Sequence, residues 1–161
     1  MITPMDRVSR CLSLISGIAL GCVAVLIVLE IILRNVFDIS LHFLWEIGVF
    51  VHMAAVFLGL AWTLRTGGHI RVTWLKSVFP RAGEWLALLI GLVISAYVSF
   101  ALIKLAWSYF QSGRTSGSIT DTPLMYPAGV MAFGALFLTL QILFRALSLA
   151  RGLPEEIDPA A

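Results

Sequence analysis

Residues 11–33 read CLSLISGIALGCVAVLIVLEIIL, a run of 23 positions whose one formally charged side chain is Glu30. At 1.5 Å per residue a helix of that length covers about 35 Å, enough for a hydrocarbon core of about 30 Å. This stretch decides the fold class, because in lipid every backbone N–H and C=O must be satisfied within the segment itself. Three further stretches of the same kind follow, at 43–64, 85–110 and 127–149. The two-residue alternation of a membrane β-barrel strand appears in none of them. The chain is therefore expected to be an all-α membrane protein with four transmembrane helices, folded as a single membrane domain over residues 1–161.

The composition agrees. Of 161 residues, 60% are hydrophobic and 12% charged, against about 45–50% and 25% in a soluble domain. The mean hydropathy of +0.97 is too high for disorder. A formal charge of +2 leaves too little excess for a nucleic-acid footprint. Cys11 and Cys22 lie in the first run and form no CxxC or His-paired spacing, so no metal or cofactor is expected. Ala19-Leu20-Gly21-Cys22 loosely resembles a lipobox, but apolar residues continue through Leu33, so the segment is expected to stay in the membrane.

Charge sets the orientation. The connections at 35–42 and 111–126 are polar, and the second is rich in Gly, Ser and Thr, with Pro123 and Pro127. The connection at 65–84 is richer in charge. With both termini inside, the inner side carries Arg7, Arg10, Arg65, Arg71, Lys76, Arg81, Arg145 and Arg151, and the outer side only Arg34 and Arg114. By the positive-inside rule both tails are expected in the cytoplasm. Trp45, Trp62, Trp74, Trp85 and Trp107 all fall at span ends or beside them, where an amphipathic indole prefers to lie. Between the second and third spans, Trp74, Leu75, Val78 and Phe79 share one helical face and Thr73, Lys76 and Ser77 another. That pattern predicts a short interfacial amphipathic helix over 70–79, ended by Pro80, with a loop that carries apolar residues as its alternative.

Ionisable side chains inside a span are expensive and therefore mark candidate sites. Glu30 precedes Arg34 by four residues on one helical face, and Glu46 and Lys104 are expected at similar outer depth. Together they predict a structural ionic cluster of Glu30, Arg34, Glu46 and Lys104 that holds three helices in register. His52 falls near mid-span, where a hydrogen-bonded packing role is expected; haem ligation would call for a second histidine at facing depth, and His42 and His69 lie in connecting segments. Gln141 and Arg145 approach the inner end of the last span, where Arg145 can snorkel. Small residues four apart, Gly17 with Gly21 and Ala55 with Gly59, predict helix contacts, as does the Gly91, Ser95, Ser99 stripe. No nucleophile–base pair, carboxylate dyad or phosphate loop occurs, so an enzyme is not expected.

The run Ile31-Ile32-Leu33-Arg34-Asn35-Val36-Phe37, then Trp45-Glu46, Phe57-Leu58-Gly59, and Arg65-Thr66-Gly67-Gly68-His69-Ile70-Arg71-Val72 resembles the small membrane subunit of tripartite ATP-independent periplasmic (TRAP) transporters, the DctQ-like family. Thr122-Pro123-Leu124 and Tyr126-Pro127, ahead of the fourth span, look like that family too. The inner-loop motif Gly67, Gly68, His69, Arg71 is the most specific piece; Thr73 departs from it, since the family often carries an acidic residue there. The resemblance implies a multi-pass protein of the bacterial inner membrane with no substrate site of its own. Its partners would be a large multi-span permease, which performs sodium-coupled uptake of an organic acid, a periplasmic substrate-binding protein, and membrane lipids. Two other classes stay open: a self-sufficient four-helix ion-coupled transporter acting as a dimer around Glu30, and a membrane redox or haem subunit built on His52.

Overall fold

A computed structural model describes residues 4–65 and 80–151. These form four helices, α1 (Pro4–Phe37), α2 (His42–Arg65), α3 (Pro80–Ser112) and α4 (Met125–Ala150). Each holds a stretch apolar enough to cross a membrane, with mean hydropathy between 1.9 and 2.7. All four expected spans lie inside these helices, which run one to seven residues beyond them at either end. The overhang is physical: backbone hydrogen bonding continues through the headgroup region, so a helix does not stop where its apolar residues do. Proline opens α1 and α3 and lies early in α4, positions where a missing N–H costs no helical bond. The interfacial helix expected at 70–79 and the motif at Gly67, Gly68, His69 and Arg71 lie outside the described residues.

α1 ends where Asp38 takes a left-handed φ of 55° and the Ile39 N–H turns back to the Leu33 carbonyl at 3.2 Å. Residues 38–41 alone then link it to α2, which makes the two antiparallel neighbours. The connection from α3 to α4 is longer and folds on itself. Gly113 and Gly117 have φ of 60° and 67°, Thr115 pairs with Pro123, and Ser116 N–H bonds to the Thr122 carbonyl at 3.0 Å.

The helices are arranged in a row. α1 packs on α2, α2 on α4, and α4 on α3; among the described residues α1 meets neither α3 nor α4, and α2 does not meet α3. The spatial order is thus α1, α2, α4, α3. α4 sits at the centre, and 28% of its most apolar stretch is buried against 6% for α1. Both broad faces carry exposed Leu, Ile, Val and Phe, as expected of a surface solvated by acyl chains.

Three seams hold the row. Along α1, Ser9, Ser16 and Glu30 are buried and Val23 half-buried, a seven-residue repeat that keeps one face toward α2. Ser16 Oγ donates to the Ala55 carbonyl at 2.5 Å, and a Cβ on Gly59 would lie 3.4 Å from that hydroxyl. At the α2–α4 seam Gly134 lies directly on the Phe57 backbone: a Cβ there would come within 2.6 Å of the Phe57 carbonyl oxygen. Across α4 and α3, Thr139 Oγ1 donates to the Ala135 carbonyl at 3.0 Å, so in its 2.9 Å contact with Ser99 the serine hydroxyl donates. The same seam closes with Arg145 and Glu84 at 3.5 Å.

Candidate functional site

Glu30 is the most completely buried large side chain of the described residues, at 1% exposure. Its place follows from the α1 repeat, which puts every seventh residue on the α2 face and so turns a carboxyl inward where Ser9 and Ser16 stand lower down. Arg34 lies one turn further along. Its Nε is 4.0 Å from Glu30 Oε1 and its side chain is half exposed, so the pair is electrostatic and gives the carboxyl no hydrogen bond. Among the described residues neither Glu30 oxygen has a hydrogen-bond partner. Beside it a cavity of about 250 Å³ opens between α1 and α2, lined by Val23, Ile27, Leu44, Trp45, Gly48, Val49, His52 and Met53 along with Glu30 itself.

Glu46 does something else. It stands in the first turns of α2, and its Oε2 accepts hydrogen bonds from Ser118 Oγ and Thr120 Oγ1 of the α3–α4 connection. Ser116 bonds to Ser118 at 3.0 Å and Thr122 donates to Thr120 at 3.2 Å, so four hydroxyls form a chain that ends on one carboxyl. The connection is thereby hooked over the row, from the α3–α4 side onto α2.

The expected cluster of Glu30, Arg34, Glu46 and Lys104 is accordingly divided. Glu30 faces Arg34, Glu46 is taken up by hydroxyls, and Lys104 is exposed on α3 without an ion pair among the described residues. The reason is topological: α4 lies between α3 and α2, so a side chain on α3 cannot join a cluster on the α1–α2 pair. His52 also departs from expectation. It is exposed on the groove side of α2, and no hydrogen bond joins it to a described residue.

The small-residue pairs separate in the same way. Ala55 is buried and Gly59 half-buried, both against Ser16. Gly17 and Gly21 are exposed, with no described atom within 4 Å of an added Cβ, because they are turned away from the seven-residue seam of α1. Arg145 pairs with Glu84 rather than only snorkelling. Gln141 is buried at 8%, with no partner for its Oε1 among the described residues.

Two signals for these arrangements were present in the sequence. Ser116, Ser118, Thr120 and Thr122 alternate, and a period of two puts hydroxyls on one side of an extended segment. Ser9, Ser16, Val23 and Glu30 repeat every seven residues, which marks the α1 seam better than Gly17 and Gly21 do.

As a chemical site, the groove is apolar with one carboxyl and one imidazole. Among the described residues, no three His, Cys, Asp or Glu side chains converge to hold a metal ion. Residues 23–152 match the family described as "Tripartite ATP-independent periplasmic transporters, DctQ component". No curated protein and no solved structure matches the chain.

Proposed function

Because this chain belongs to the DctQ component family of TRAP transporters, and is thus a small membrane subunit of such a transporter, we propose that it is the fixed scaffold on which a large permease subunit moves its cargo. The family match over residues 23–152 carries this reading. In it, the large subunit takes an organic acid from a periplasmic binding protein and moves it with sodium across the bacterial inner membrane. Both tails face the cytoplasm, in accord with the bias of Lys and Arg toward the end of the row that holds the termini.

The row of helices supports a scaffold role. A moving transport domain needs something in the bilayer that resists tilting, and four helices packed side by side present a broad wall. A substrate site in a secondary transporter is usually built from broken helices and polar groups near the midplane. Here the four helices run unbroken through their apolar stretches. The groove of about 250 Å³ is smaller than the roughly 300–1,000 Å³ typical of metabolite pockets.

The buried Glu30 favours one competing reading, in which this chain alone moves an ion-coupled solute. Reconstitution into liposomes with a sodium gradient separates the two. The scaffold reading expects uptake only when the large subunit and a loaded binding protein are both present. Uptake by this chain alone, abolished by Glu30→Gln, would overturn it.

A further inference from the structure

Helix packing does not explain Glu30. The α1–α2 seam uses serine, alanine and glycine at its other tight points, and a carboxyl at 1% exposure with two unpartnered oxygens is the costliest group that could stand there. Arg34 does not answer it, being half exposed and beyond hydrogen-bond reach. Glu30 forms part of the wall of an open cavity, so an occupant of that cavity would lie against it.

The size of that cavity limits the occupant. About 250 Å³ is more than the roughly 150 Å³ that admits a benzene ring and less than a typical metabolite pocket. One long side chain fits this range: an aliphatic stem against Ile27, Leu44 and Val49, and a polar head at Glu30.

The surface outside the cavity has the form of a helix-binding stripe. Trp45, Val49, His52, Met53 and Val56 are all exposed, and their spacing of four, three, one and three residues aligns them along one face of α2. Lipid would solvate four of the five. It would not solvate His52, since ionisable side chains in membrane spans almost always face protein or a watered cavity. Two polar groups that lipid cannot satisfy, His52 and Glu30, thus line the same groove.

We propose that this groove is the docking surface for a membrane-spanning helix of the large permease subunit, and that a Lys or Arg side chain of that helix enters the cavity and pairs with Glu30. The proposal rests on the scaffold reading above. A basic side chain is assigned over a hydroxyl because a hydroxyl donates one hydrogen bond, whereas an ammonium or guanidinium carries several donors and can meet both carboxyl oxygens. A second copy of this chain fits less well. Its exposed Lys104 is the basic group at comparable distance from its helix end, but seating α3 of one copy on the α1–α2 groove of the next makes a head-to-tail contact, which leaves a groove empty in any pair of copies.

The test uses the complete assembly in native membranes, with a photo-crosslinking amino acid at Met53 and, separately, at Tyr97 on the outer face of α3. The expected crosslink runs from Met53 to the large subunit. Glu30→Gln and Glu30→Leu are each expected to lower retention of the large subunit by about 30-fold or more. The isolated small subunit carrying Glu30→Leu is expected to melt no lower than wild type, since an apolar side chain replaces a buried carboxyl whose oxygens have no hydrogen-bond partner among the described residues. A carboxyl needed only for internal packing would move both measurements down together, and that result overturns the proposal. Crosslinks from Met53 to lipid or to a second copy overturn it as well, as does unchanged retention in both variants. If the wild-type chain retains the large subunit but crosslinks to it only from Tyr97, the docking surface is wrong and the scaffold reading stands. If wild type retains no large subunit at all, both fall.

Discussion

Replacing Gly134 by alanine tests the row directly, because this glycine is where α4 lies closest to α2. The added Cβ would be 2.6 Å from the Phe57 carbonyl oxygen, 2.7 Å from its carbon and 3.0 Å from the Phe57 Cβ. Two of the three contacts are backbone, so no rotamer change relieves them. Restoring an ordinary separation near 3.4 Å requires the seam to open by about 0.8 Å. A gap of that size forfeits a quarter to a half of the dispersion energy of each facing atom pair. In a bilayer this loss is serious, since helices associate through packing with little hydrophobic drive to hold them together. Overpacking of this kind costs about 1–3 kcal/mol. A helical Gly→Ala change returns up to about 1 kcal/mol through propensity, so the informative quantity is the difference from a reference glycine. Gly17→Ala serves, with nothing within 4 Å of its new methyl. Gly134→Ala is expected to be less stable than Gly17→Ala by about 1–3 kcal/mol in reversible unfolding in mild detergent. Spin labels on α1 and α3 should also move apart, since among the helices it is the α2–α4 seam that joins the two halves of the row. Equal stability of the two variants would refute the close approach, and with it the order α1, α2, α4, α3.

Four other outcomes follow. Ser16→Ala removes a hydroxyl bonded to the Ala55 carbonyl, and is expected to lower stability by about 0.6 kcal/mol, the usual value for an interhelical hydrogen bond in a membrane; a loss above about 2 kcal/mol in the same unfolding measurement would show that the seam depends on it far more. Glu46→Ala leaves the hydroxyls of Ser118 and Thr120 without their acceptor, so amide hydrogen exchange across 113–124 should quicken while α3 and α4 stay protected; unchanged exchange would mean that the connection holds itself. Gly21→Leu should leave the isolated subunit as stable as wild type, since the position has open space around it, and a clear drop in melting temperature would place α1 in the wrong rotation. In a cysteine-free background, Ser116→Cys should react with a membrane-impermeant maleimide added outside intact cells and Ser148→Cys should not; the reverse pattern would invert the topology argued from basic residues.

How much of this was legible in the sequence differs by level. The four spans were, because the length and polarity of an apolar run answer to bilayer thickness alone. The local pair Glu30 and Arg34 was also legible, since four residues on one helix fix the geometry without knowledge of any neighbour. Which helices touch was not. In water the apolar stripe of a helix points to its neighbour, but in lipid the exposed face is as apolar as the buried one, so hydropathy gives no direction. Depth along the bilayer normal therefore groups Lys104 with Glu30, although α2 and α4 stand between the helices that carry them. Size groups Gly17 and Gly21 with the seam, although the serine and carboxyl repeat on another face makes the contact.

The lengths of the connections hold information that composition does not. α1 and α2 are neighbours joined by residues 38–41, the shortest link in the chain. α2 and α3 are separated by the width of α4, about two interhelical distances of 8–10 Å, and the link of residues 66–79 is long enough to cover that span. By the same logic the link of residues 113–124 is too long, because α3 and α4 touch and need only a few residues between them. The surplus is what forms the hairpin whose hydroxyls reach Glu46 on α2. A link longer than its neighbours require thus spans the α4–α2 seam at one end of the row, the same seam that Gly134 closes within the membrane. The two devices act on the one junction that keeps the α1–α2 pair, with its carboxyl-lined groove, attached to the α3–α4 pair, and in the proposed scaffold role the width of the row depends on that junction most.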